Sequence, residues 1–226
     1  STLTGATEFL LDANATTNRV SWTGTVAKPA INLRAGSPVA ASLKDLGSTP
    51  ITCAGECDDN VVGFNLTGAG LPMAYNGVVY NRIFVSTNGF VQLSNSATAP
   101  GAAAANVKLP SLTAAVNILA PFWSDLDLAG GAAGTGEMYI DVLTLSGKDY
   151  IVVEWNGVEE FDVPGVKYSF QVWIAADGSE DIFFNYLDVA GTPTALTVGA
   201  QDVSRTLGGS TYFSTPAVAA TGTLPA

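Results

Sequence analysis

The chain has 226 residues, a formal net charge of −11 and no histidine, with 47% hydrophobic and only 13% charged residues. So high an apolar content excludes a disordered chain, and the length suffices for one large β domain or two smaller ones. Nine Lys and Arg against twenty Asp and Glu leave no basic patch for a nucleic acid or an anionic membrane surface.

From the N-terminus, the runs at 8–11, 19–23, 30–33 and 61–66 read as loose strands. They predict an N-terminal β segment or small β domain over 1–68, ended by Thr67-Gly68-Ala69-Gly70. Within it, Cys53 and Cys57 stand four apart in CAGEC. Without histidine or a second cysteine pair a zinc site is incomplete, and a disulfide that fixes a tight turn is the reading that fits. A main unit follows over 69–213, with β-branched or aromatic runs at 83–87, 90–93, 138–142, 150–155, 168–174, 182–186 and 194–200. Asn88-Gly89 predicts a two-residue hairpin, and 146–149 and 176–181 predict two further turns. Segment 97–106, ATAPGAAAAN, reads as an exposed loop, and 214–226 as the beginning of a linker. No amphipathic helix interrupts the series. The predicted fold is all-β, an antiparallel, jelly-roll-like sandwich with a smaller N-terminal β segment.

No apolar run approaches the roughly 20 residues of a membrane-spanning helix. The chain begins at Ser1 without a leader, which reads as a mature or excised piece. The weakly charged, Ala-, Gly-, Thr- and Asn-rich composition suits a secreted bacterial protein.

The missing histidine removes the general base of Ser-His-Asp and Cys-His chemistry, together with histidine-ligated metals. Carboxylates remain. Asp177-Gly178-Ser179 has the wrong order for an aspartic peptidase. Glu154 alternates with Val153 and Trp155, so it points away from their face and reads as a solvated strand residue. Asp125 and Asp127 have the period-two spacing that puts both carboxylates on one face, with Gly130, Gly131, Gly134, Gly136 and Glu137 following. One reading is a calcium site held by Asp125, Asp127 and Glu137; the other is a turn in which both aspartates bond backbone amides. Glu56, Asp58 and Asp59 around the cysteines offer a second calcium candidate or a solvated acidic turn. Segment 159–162 reads as an exposed acidic loop. Trp123, Trp155 and Trp173 read as core, leaving Trp22 free to stack on a sugar.

From about Leu71 the order of motifs carries a resemblance: VSTNGF (85–90), APFWSDLD (120–127), VEW (153–155), FQV (170–172), IFFNY (182–186) and TVGAQD (197–202). This series resembles the nidogen-like extracellular β module, in particular a bacterial relative attached to secreted subtilisin-like proteases and surface proteins. The resemblance implies a non-catalytic β-sandwich in an extracellular setting, covalently linked to a catalytic domain and serving substrate binding, attachment or stability. A carbohydrate-binding or adhesive module is the alternative function, and a carboxylate-dependent hydrolase a more distant one. Whether the ligand is a protein or a polysaccharide does not follow from the residues.

Overall fold

The structure, a computed structural model, describes residues 8–14, 19–25, 32–34, 37–38, 42–53, 57–128, 136–145, 147–161 and 163–224; before residue 42 it describes the backbone alone. Every regular element among them is a strand. The first are β1 (Glu8–Asn14), β2 (Arg19–Thr25), β3 (Asn32–Arg34), β4 (Ser37–Pro38), β5 (Val61–Asn65), β6 (Met73–Tyr75) and β7 (Val78–Tyr80). Next come β8 (Arg82–Ser86), β9 (Phe90–Ser94), β10 (Ile118–Trp123), β11 (Leu126–Asp127), β12 (Glu137–Leu145) and β13 (Lys148–Glu160). The last are β14 (Val163–Ala175), β15 (Asp181–Val189), β16 (Leu196–Gln201), β17 (Gly208–Thr215) and β18 (Val218–Gly222).

Two seven-stranded antiparallel sheets carry the fold. The first runs β13-β14-β15-β1-β2, with β11 and β12 sharing the free side of β13; the second runs β18-β17-β16-β10-β9-β8-β5. Segment 61–65 therefore closes one edge of the second sheet, and 218–222, within the tail read as a linker, closes the other. The two sheets face each other across a single apolar core. Ile151, Val153 and Trp155 of β13 and Phe170, Val172 and Ile174 of β14 meet Val85, Val91, Phe122 and Val198 from the second sheet. Phe122 lies 5.0 Å from Phe170 and 4.8 Å from Tyr168, and Trp155 stacks on Phe170 at 5.0 Å. Polar tips of the aromatics cross the same gap: the Trp155 indole donates to Ser86 O (2.9 Å) and the Tyr186 hydroxyl to Pro121 O (2.7 Å). Buried rings that also satisfy backbone carbonyls fix the spacing of the sheets as well as filling it.

Period-two alternation sends the remaining side chains outward, yet both outer faces are covered. On the first sheet Tyr150, Val152, Trp173 and Ala175 pack under Leu43, with Leu46 and Phe183 beside them. On the second, Phe90, Ile118, Ala120 and Trp123 pack under Leu109, Ala114 and Val107. Alternation thus marks which face a residue takes; it does not mark which face is wet.

Candidate functional site

The chain leaves the second sheet for the first between β10 and β11, within APFWSDLD, and three segments meet there. The β8–β9 hairpin is present, but Ser86 pairs with Phe90 across three residues, 87–89, rather than two. Gly89 has φ +76°, and a Cβ on it would lie 1.9 Å from Phe122 O. Only glycine lets β10 pass this close.

Asn88, fully buried, ties the three segments together. Its Nδ2 donates to Asp59 Oδ1 (2.7 Å) and Ala102 O (3.3 Å), and its Oδ1 accepts from Leu126 N (2.8 Å). Thr87 Oγ1 accepts from Asn60 N at 2.9 Å. Cys53 and Cys57 form a disulfide with 5.4 Å between their Cα atoms, and the Cys57 carbonyl accepts from Leu128 N at 3.3 Å. The cysteine turn therefore lies against the segment 124–128.

This meeting brings Asp58, Asp59 and Asp125 together, with one carboxylate oxygen of each within 4.8 Å of the others. Asp58 and Asp125 are half-buried and Asp59 is exposed. Oxygens at that spacing suit a hard cation bound at about 2.3–2.6 Å from each. The three carboxylates are thus able to hold a metal ion. One aspartate of the 125–137 set meets two from the cysteine turn, and Asn88 orients one of the three.

The other residues of the predicted set lie elsewhere. Glu137 bonds Lys44 (2.7 Å) and accepts from the Tyr139 hydroxyl (2.7 Å), and these partners hold its carboxyl below the usual range. Asp127 is buried in β11, paired with Glu159. The Trp22 side chain, Glu56, Gly130, Gly131, Gly134 and Asp162 lie outside the described residues.

Two acidic stretches differ from the sequence expectation. Segment 159–160 is not an exposed loop: Glu159 and Glu160 end β13 and are both buried. Glu160 accepts from Ser124 Oγ (3.0 Å) and Thr194 N (2.8 Å), so it staples the crossing from β10 to β11 to the one from β15 to β16. Glu154 is not solvated. It does turn away from Val153 and Trp155, but its exposure is 0%. Its oxygens accept from Ser42 Oγ and Leu43 N (both 2.6 Å), Gln171 Nε2 (2.6 Å) and Asn156 Nδ2 (3.1 Å). Burial pushes this carboxyl above its ordinary range, against the pull of those donors. Enclosed so completely, it offers a substrate no access.

Asp177 caps a hairpin turn, accepting from Ser179 N (2.9 Å) and lying 3.4 Å from Lys148. That arrangement is structural. Trp123, Trp155 and Trp173 are core residues, as expected. No helix among the described residues is long and apolar enough to cross a membrane.

A family model described as NIDO related matches residues 39–224. No curated protein and no solved structure matches the chain.

Proposed function

Because the chain belongs to the NIDO-related family, we propose that it is a non-catalytic accessory module of a secreted protein, clamped by calcium where its two sheets exchange the chain. The carrying observation is the convergence of Asp58, Asp59 and Asp125 on one point. These carboxylates come from two loops that the Asn88 amide and the Cys57 carbonyl already hold together. A divalent cation there neutralises like charges in a chain of net charge −11 and locks the crossing from β10 to β11. Calcium fits better than magnesium because it accepts irregular all-oxygen coordination, whereas magnesium demands near-ideal octahedral geometry. The disulfide suits an oxidising compartment.

Attachment to a subtilisin-like protease rests on the resemblance alone and makes the module an aid to substrate capture, anchoring or stability of that enzyme. The reading frame surrounding this chain tests it directly: a protease domain in the same polypeptide is the expected finding, and an unrelated partner overturns it.

Calcium is tested by thermal melting in calcium and in EGTA. At a hundredfold excess over Kd, binding to the native state adds about 2.7 kcal/mol. The increase should vanish when Asp58, Asp59 and Asp125 are all replaced by Asn. No shift in the unaltered protein removes calcium from the reading. Turnover of protein or polysaccharide substrates by this chain alone, lost on carboxylate substitution, would overturn the non-catalytic assignment.

A further inference from the structure

The alanine-rich segment read from sequence as an exposed loop does something more specific than connect β9 to β10. Together with residues 107–117 it lies over the outer face of the second sheet, and the whole connection is bonded down at several points. Asn106 Nδ2 donates to Thr197 Oγ1 (2.9 Å) and Ser214 O (3.1 Å), and Gln201 Nε2 donates to Ala115 O (2.7 Å). Gln92 Nε2 reaches Val116 O (3.0 Å), and the Trp123 indole reaches Ala103 O (2.8 Å). Anchors of that kind hold the backbone at a fixed height. The small side chains of this loop leave a pocket of about 400 Å³, open to solvent between the exposed Gly101, Ala103, Ala105 and Thr113. Phe90, Ile118 and Trp123, each at most 1% exposed, lie at its floor, and its accessible walls come from Ala103, Ala105, Val107 and Thr113 of the loop. That volume falls within the range of small-molecule sites, roughly 300–1,000 Å³.

One charged residue belongs to the wall, Arg205. Its Nη1 donates to Leu112 O at 2.8 Å, and it forms no ion pair among the described residues. Guanidinium has five N–H donors in a planar fork that matches a carboxylate. Nearby, Leu112 is 70% exposed, although its carbonyl is already engaged by Arg205.

We propose that this cavity is a binding site for a small amphiphilic carboxylate, its apolar body along Ala103, Ala105 and Val107 and its anionic group on Arg205. The apolar wall supplies affinity and the guanidinium selects the charge. The site makes no use of the metal-binding aspartates, so its test is run in EGTA and succeeds or fails separately from the calcium reading.

The experiment is isothermal titration calorimetry of the protein with octanoate, below its micelle threshold, and with 1-octanol as the neutral counterpart. One saturable site for octanoate is expected. Binding should weaken at least tenfold for octanol and for Arg205→Gln, and vanish when Ala105→Trp or Thr113→Trp fills the cavity from an exposed lining position. Melting curves identify any variant that fails to fold, and the second filling variant then decides. The proposal is overturned by the absence of saturable heat, by equal affinity for octanol, or by binding that survives the filling substitution.

Discussion

The outer faces of the two sheets are roofed by different means. Over the first sheet the side-chain roof among the described residues is the turn 42–48, closed by Leu46 N to Ser42 O (3.1 Å), Gly47 N to Lys44 O (3.0 Å) and Ser48 N to Leu43 O (3.0 Å). Gly47 takes the left-handed conformation that this ending needs (φ +80°). Leu43 and Leu46 press on Tyr139, Tyr150 and Trp173, and the buried Glu154 carboxylate takes the first free N–H of the turn. Over the second sheet a longer loop of small residues is hung from neutral amides and leaves a cavity. Large aliphatic side chains on a short turn close a face completely. Small ones on a long loop can be fixed just as firmly and still leave room for a ligand.

Removing Glu154 should give the largest effect. Glu154→Ala strands four donors in a sealed site and opens a void. Unsatisfied buried donors cost about 1–3 kcal/mol each in the worst case, and a total near 3–5 kcal/mol is expected in denaturant unfolding. A loss below about 1 kcal/mol would mean that the turn is held by its leucines alone. The same group makes stability depend on pH. Its folded-state pKa is raised by burial, so its protonated form favours the folded state. That contribution is complete below the unfolded pKa and disappears as pH rises through the folded value. The melting temperature of the unaltered protein relative to Glu154→Gln should therefore increase as pH falls through that window. A difference that is flat or reversed in sign contradicts the assignment.

Glu154 also marks how far the sequence could be read. Strands 83–87, 150–155, 168–174 and 182–186 were legible because branched and aromatic residues at period two declare a half-buried sheet. The direction of Glu154 was legible for the same reason. Its burial was not, since Ser42 and Leu43 reach it from a turn with no pattern of its own. β17 and β18 are not legible because Gly, Ser and Ala dilute the strand signal of Tyr212, Phe213 and Val218, and pairing of β17 with β16 and of β18 with β17 imposes the conformation. At the candidate site, Asp125 stood out by its spacing from Asp127. Its partners Asp58 and Asp59 belong to another loop, and only the Asn88 bridge explains the meeting. Glu137 follows Asp125 closely in sequence but is carried along β12 to Lys44.

A smaller effect is expected at the second roof. Gln201→Ala removes the bonds to Ser111 N (2.7 Å), Ser111 O (3.2 Å) and Ala115 O (2.7 Å). Water can partly replace them at a half-exposed loop, so the cost should be near 1–2 kcal/mol. Hydrogen exchange should show where it acts: faster exchange across 109–116 with β13 and β14 unchanged. Equal acceleration in both sheets would mean that the loop is not separately anchored.

The finest test adds the same two methyl groups under each roof. Ala175 is completely buried beneath the closed turn, packed with Tyr150, Val152 and Trp173. Ala175→Val must displace neighbours there, and overpacking of that kind costs about 1–3 kcal/mol even in a strand that favours valine. Ala114 is also buried, but it borders the cavity. In Ala114→Val the added carbons enter free space and gain apolar burial at up to about 0.8 kcal/mol per methylene, reduced by lost rotamer freedom in an irregular segment. Opposite signs are expected, a loss for Ala175→Val and a gain below 1 kcal/mol for Ala114→Val. If Ala114→Val also destabilises by more than 1 kcal/mol, the space beneath the alanine loop is not free in solution and the contrast between the roofs fails. If it stabilises and also weakens octanoate binding, the same volume serves both packing and ligand, as a pocket left open by alanine requires.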